Sequence, residues 1–169
     1  MLALVPCGMP FAPLSAMPKG ALTLLKEVGR HILRRPVLGI AAAAHTGDGK
    51  WLLIRRADTG TWALPGGTLE WGETLDGTIR RELEEEAGVT TSSIERVVGI
   101  YSRPDRDPRF HAVTVVVLCR IEPPHRGAVN PLEIREVKLF DEADLPTELG
   151  MNMKDMLDAA RAGGPTTLE

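Results

Sequence analysis

Cysteine is scarce in this chain: Cys7 and Cys119 are the only two among 169 residues, and two thiols in such different contexts do not build a disulfide framework. A reducing, cytoplasmic setting is the expectation. Aromatic residues are few as well, three Trp, three Phe and one Tyr, so any platform for stacking a base must come from a short set of candidates. No stretch reaches the roughly 18 apolar residues that a membrane-spanning helix needs. Positive charge is not in excess either. A formal net charge of −3 leaves no basic footprint for a long nucleic acid, whose binding leans on many phosphate contacts, so a bound nucleotide is expected to be small. Internal repeats and low-complexity tracts are absent.

What is present fits one soluble globular domain, with 43% hydrophobic and 25% charged residues in a chain long enough for a real core and little more. Residues 1–17 are expected to form a disordered extension, with Met17 as a possible start. The alternative, a secretory signal, is countered by the missing basic n-region and by Pro6, Pro10 and Pro13. Over residues 18–35, Leu22, Leu25, Val28, Ile32 and Leu33 recur at helical spacing, opposite Lys26, Arg30, Arg34 and Arg35. This predicts an amphipathic helix packed on the domain or on a second subunit, with a phosphate-attracting or membrane-surface role as the alternative. A homodimer is the expected assembly, with no membrane partner.

Pro36 stops that helix, and residues 36–164 carry the domain. VLGIAAAA, the turn TGDGK and WLLIRR predict a β-hairpin. The segment WALPGGTLEWGET is rich in Gly and Pro and predicts a shaped loop. It leads into a helix over Thr74 to Ala87 that Gly88 ends. Runs at Ile94 to Tyr101, Ala112 to Ile121 and Ile134 to Phe140 predict strands. Asp141 to Leu145 predicts a turn or short helix, and Met151 to Ala162 a final helix burying Met151, Met156, Leu157 and Ala160. Strands on both sides of the central helix predict an α/β fold with a mixed sheet and helices on its faces.

The chemistry concentrates in TLDGTIRRELEEEAGV, where four glutamates fall within Glu82 to Glu86. At about 100° per residue, Glu82, Glu85 and Glu86 share an arc of about 100° that overlaps the packing stripe of Leu75, Ile79 and Leu83, while Glu84 points away. Carboxylates crowded at the edge of shelter repel one another and lose hydration unless cations compensate. Hard oxygen ligands of this kind suit Mg²⁺ or Mn²⁺. Taken alone, the run reads first as a solvated acidic helix, as most Glu-rich helical runs do. The preceding loop weighs against that: Gly66 and Gly67 let backbone approach a ligand, and Glu73 sits at the helix entrance, favoured by the dipole. Arg81 is placed to pair with Glu85.

Gly67, five residues, Glu73, seven residues, then Arg81-Glu82-Leu83-x-Glu85-Glu86-x-Gly88-Val89 resembles the complete signature of the Nudix hydrolases, and Trp62-x-Leu64-Pro65-Gly66 resembles the usual approach to it. The resemblance covers roughly residues 36 to 162. It implies an α/β/α sandwich with a central mixed β-sheet and hydrolysis of a nucleoside diphosphate linked to another moiety, with Mg²⁺ or Mn²⁺ as cofactor. It further implies Glu82, Glu85, Glu86 and the Gly66 carbonyl as metal ligands, Arg81 and Glu73 as orienting residues, and Glu85, Glu133 or Glu136 as the general base.

Pro104, fifteen residues beyond Val89, resembles the placement in the subgroup that cleaves ADP-ribose and nucleoside diphosphate sugars. Arg55, Trp62, Arg103, Pro104, Arg106 and Arg109 are the candidate substrate contacts, the arginines through fork-like hydrogen bonds to phosphate. A solvated, proline-punctuated loop is the competing account of residues 101–110. Tyr101, Trp62, Trp71 and Phe110 are candidate platforms for the base, and His111 is equally readable as structural. The expected reaction yields a nucleoside monophosphate and a sugar phosphate. Alternatives are hydrolysis of nucleoside triphosphates, a non-catalytic nucleotide-sensing module, which can lose the acidic set, and RNA decapping, which needs a basic path.

Overall fold

The computed structural model describes residues 19–33 and 35–169. The extension at residues 1–17, with Cys7, and Arg34 lie outside the described residues. So do the side chains of Leu22, Arg30, Ile32 and Leu33.

Two compact units are present, residues 1–35 and 36–169. In the first, α1 runs Lys19–Leu33, and Leu24, Leu25 and Val28 are exposed. The second is built around β1 (Val37–Thr46), whose residues 39–44 are all buried. A strand buried at successive positions is covered on both faces and needs apolar residues throughout. Ala41 to Ala44 supply them. Gly49, at φ 87°, turns the chain, the Thr46 amide donates to the Lys50 carbonyl at 2.9 Å, and β2 (Trp51–Arg56) returns antiparallel with His45 opposite Trp51. The hairpin is as expected.

The Gly- and Pro-rich segment departs from the expected loop. It forms two short strands, β3 (Trp62–Ala63) on β2 and β4 (Gly66–Thr68) on β1, with Ala41 opposite Gly66 and Ile40 opposite Gly67. Ladder bonds to β1 satisfy backbone groups that a free loop would leave to water, and glycine is required. A Cβ on Gly66 would overlap the Ile40 carbonyl.

Helix α2 (Leu75–Ala87) follows, with Thr74 Oγ1 accepting from the Gly77 amide at 3.1 Å. Gly88, at φ 67°, closes it, its amide donating to Glu84 O and that of Val89 to Leu83 O, a Schellman-type end. Ile79 and Leu83 are fully buried, each contributing about 1.5–3 kcal/mol of hydrophobic stabilisation, and this fixes which way the helix faces. Strands β5 (Ser92–Tyr101), β6 (Ala112–Ile121) and β7 (Ile134–Phe140) complete the main sheet. β6 runs parallel to β1 over ten paired positions, and β5 and β7 pair antiparallel with β6 and β2. The result is a mixed sheet in an α/β/α sandwich.

The C-terminal part departs from expectation twice. The last helix, α3, spans Lys154–Ala162 and starts later than Met151, because Met151 (φ 54°, ψ 31°) and Asn152 (φ 51°) are left-handed within a short 3-10 turn over Gly150–Asn152. Left-handed backbone interrupts a right-handed helix and costs roughly 1–2 kcal/mol per non-glycine residue. Beyond residue 164 the chain is not spare: β8 (Thr167–Leu168) pairs parallel with β5.

Candidate active site

Helix α2 presents its acidic arc as spacing predicts. Glu86 is 6% exposed, and its Oε2 accepts from the Gly66 amide at 2.8 Å. Burial pushes its carboxyl up to about 8, against the opposing pull of that amide. Glu82 is raised too: burial outweighs the neighbouring Arg81 guanidinium, and Glu85 and Glu133 add repulsion. A Cβ on Gly67 would overlap the Glu82 carboxylate, so this glycine is what admits the acid against the β4 backbone. Glu85 is more open, and Glu84 points away toward Arg126 at 3.6 Å.

Arg81 lies among these acids. Its Nε and Nη2 reach Glu73 at 2.9 and 3.2 Å, and its Nη1 reaches Glu82 at 2.8 Å and Glu85 at 3.3 Å. Glu73 also accepts from Thr78 Oγ1 at 2.9 Å and from the Glu70 amide at 3.1 Å. These bonds, the one from Arg81 foremost, hold its carboxyl at about 2. A fully ionised Glu73 thus holds a guanidinium that sets the rotamers of two acids on the arc.

Glu82, Glu85, Glu86 and Glu133 line one small cleft, together with Val129, Asn130 and Ile134. Glu82, Glu86 and Glu133 also line a neighbouring cleft of about 300 Å³, whose other walls include Arg56, Gly66, Gly67, Asp107, Arg109, Phe110, Met151 and Met153. Acids at one side and aromatic or thioether groups elsewhere suit a ligand with an anionic and an apolar part.

A family profile described as NUDIX domain matches residues 35–160, which spans the hairpin and the arc and reaches into α3. The chain belongs to the Nudix family. Over 102 residues this Nudix chain is 37% identical to an "ADP-ribose pyrophosphatase" of Methanocaldococcus jannaschii, covering 59% of each chain. It thus spans under two thirds of that relative's length. An ADP-ribose pyrophosphatase from Streptococcus suis is 30% identical, with a TM-score of 0.62 over 80% of this chain and 100% of that one. The NUDIX domain of Shewanella oneidensis NrtR, solved complexed with ADP ribose, shares the fold at a TM-score of 0.66 and 24% identity, covering 87% of this chain and 99% of that one.

The Nudix fold separates the remaining expected site residues. Glu136 sits opposite Arg55 in the β2–β7 ladder, 3.6 Å from its guanidinium, and neither lines either cleft. Trp62 packs edge-on against Phe140 at 4.9 Å, Tyr101 is buried and Trp71 is fully exposed on the loop before α2. Of the candidate platforms, Phe110 alone lines the larger cleft. Arg109 lines it too, paired bidentately with Asp107 at 3.0 and 2.7 Å and placed 5.2 Å over the Phe110 ring. Arg103 and Pro104 are outside the cleft lining, and His111 Nε2 donates to the Ser102 carbonyl at 2.8 Å.

Arg106 is the clearest departure from the expected substrate contacts. It is 5% exposed, and its guanidinium bonds to Asp155, to Glu169 and to the Asn152 carbonyl. Sequence reasoning also passed over Arg56, Asp107, Met151 and Met153 as cleft-lining groups. The run of arginines drew attention to charge, whereas the cleft wall depends on how a loop and a turn meet.

The donor chemistry fits a hard divalent cation. The smaller cleft gathers four carboxylates without a cationic side chain in its lining, two of them raised by burial. Among the described residues no three Asp, Glu, His or Cys side chains already converge on one point, since Glu82 turns to Arg81 and Glu86 to the Gly66 amide.

Proposed function

We propose that this Nudix protein is a Mg²⁺- or Mn²⁺-dependent pyrophosphohydrolase that cleaves ADP-ribose or a nucleoside diphosphate sugar to a nucleoside monophosphate and a sugar phosphate. The single observation that carries the reading is the pair of clefts sharing Glu82, Glu86 and Glu133, one acidic, the other reaching Phe110, Met151 and Met153. The names of the relatives favour ADP-ribose.

Glu82, Glu85, Glu86 and the Gly66 carbonyl would hold the cation. When bound, it neutralises phosphate charge and lowers the pKa of bound water. Arg81, fixed by Glu73, keeps Glu82 and Glu85 oriented. A water oxygen forms a bond to one phosphorus of the diphosphate, the bridging P–O bond breaks, and the leaving phosphate carries the bridging oxygen. The water's proton passes to a carboxylate, and Glu133, which lines both clefts, is better placed for this than Glu136 on the β7 ladder. Glu85 is the second candidate. Arg109, which lines the larger cleft beside Phe110, is the proposed cationic contact for the substrate.

The setting we propose is cytoplasmic. No helix among the described residues is long and apolar enough to cross a membrane. A second copy of the chain is the proposed partner of α1, where Leu24, Leu25 and Val28 are exposed, and a monomeric mass by light scattering rejects it. The substrate is tested by a panel of nucleoside diphosphate sugars, ADP-ribose and nucleoside triphosphates with Mg²⁺, products being identified by mass spectrometry. Cleavage of triphosphates alone rejects the assignment.

A further inference from the structure

Phe110 and the pair Met151 and Met153 line the larger cleft, yet they come from two segments far apart in the chain. Phe110 belongs to the loop between β5 and β6. The methionines belong to the turn before α3, where Met151 and Asn152 are left-handed. Neither segment is regular, so something must hold them face to face.

Arg106 joins them. It lies in the same loop as Phe110, and its Nη1 donates to the Asn152 carbonyl at 2.7 Å, at the centre of the left-handed turn. Nη1 and Nη2 donate to Asp155, on the first turn of α3, at 3.0 and 2.6 Å. Nε donates to Glu169 at 3.0 Å, and the guanidinium lies 4.8 Å over the ring of Tyr101 at the end of β5. The Glu169 carboxylate accepts in addition from the amides of Ser102 and Arg103, tying the start of the loop to the strand that follows α3. One planar fork thus engages the loop, the turn, the helix and the tail at once. On the cleft side, Arg109 reaches Met151 Sδ at 3.5 Å, so the two segments meet where the ligand would lie.

We infer that Phe110, Met151 and Met153 form the seat for the nucleobase, and that Arg106 is the positioning residue that holds the two halves of that seat together. This rests on the proposed reading of the substrate as a nucleotide. Ring and thioether surfaces are polarisable and apolar, and they suit the face of a base rather than a sugar or a phosphate. Arg106 acts through Met151 and Phe110, since its own donors are all engaged within the protein.

The test measures binding by calorimetry, with AMP and ribose 5-phosphate as probes that differ in the base alone. Wild type, Met151→Ala, Phe110→Ala, Arg106→Lys and Asp155→Asn are compared, each checked for a cooperative thermal transition. The expected result is AMP binding weakened at least five-fold in Met151→Ala, Phe110→Ala and Arg106→Lys, and ribose 5-phosphate unchanged within two-fold. Asp155→Asn removes one charge but leaves the other bonds of Arg106, and it is expected to fold and to show a smaller loss of the same sign. Should Arg106→Lys lack a cooperative transition, Asp155→Asn decides the positioning role. Equal weakening of both probes, or AMP binding that ignores all four substitutions, overturns the inference. A wild type that binds AMP with this pattern but hydrolyses nothing in the substrate panel rejects the proposed activity and leaves the base seat standing.

Discussion

The amide of Gly66 stands 2.8 Å from Oε2 of Glu86, twenty residues away in the chain. One residue belongs to a two-glycine strand segment paired with β1, the other to the buried face of α2. Their contact joins the backbone donor and the acid that the proposed metal site depends on. It also explains how a carboxylate 6% exposed is tolerated, since a buried acid needs at least one hydrogen-bond donor or a cation.

Removing the charge at Glu86 is expected to cost most. Glu86→Gln keeps the shape and the contact with Gly66 but weakens cation binding, and kcat is expected to fall by about 10² or more. Steady-state kinetics with Mg²⁺ across the saturating range measures it. Turnover near wild type would sink the metal assignment.

Glu133 and Glu136 separate by position. Loss of a general base lowers rate by about 10²–10⁴, so Glu133→Gln is expected to reduce kcat by about 10² with little change in the Mg²⁺ dependence. Glu136→Gln, which unpairs Arg55 on the exposed β2–β7 ladder, is expected to leave kcat within about two-fold. The reverse ranking would move the base to Glu136.

Glu73 is expected to matter through Arg81. Glu73→Gln leaves the guanidinium free to draw Glu82 and Glu85 toward itself, and loss of such an orienting partner weakens metal affinity by about 10–100-fold. A Mn²⁺ titration followed by electron paramagnetic resonance reads this directly. Unchanged affinity would assign Glu73 to helix stability alone.

Acid stability should report Arg106. Its guanidinium, with the Arg103 amide in support, holds Glu169 at about 2 against an ordinary 4.5. A carboxyl lowered on folding stabilises the native state above pH 4.5 and loses that contribution as pH falls toward 2. Thermal midpoints of wild type and Glu169→Gln are therefore expected to differ at pH 6 and to converge near pH 2. Parallel curves over this range would remove the ion pair from the stability account.

Gly66 tests the sheet. A Cβ there meets the Ile40 carbonyl, and overpacking of this kind costs about 1–3 kcal/mol. Gly66→Ala is expected to shift urea unfolding by that amount, and a midpoint equal to wild type would show that β4 yields.

The residues themselves determined the acidic arc and its direction. Helical spacing places Glu82, Glu85 and Glu86 on one side, and the Gly67 to Val89 pattern is local, running over 23 consecutive residues from the end of β4 to just past α2. The hairpin and the three long strands were legible for the same reason, since β-branched runs and turn residues act over a few positions. Tertiary structure alone decided the cleft wall. Arg106 meets Asp155 and Glu169 across 49 and 63 residues, and in sequence it looks like any other arginine in a loop. The same holds for Met151, expected in a helix and found in a left-handed turn, and for β8, too short to show any periodicity. A local pattern records what each segment prefers. Which preferences yield is settled where distant segments compete for the same buried bonds.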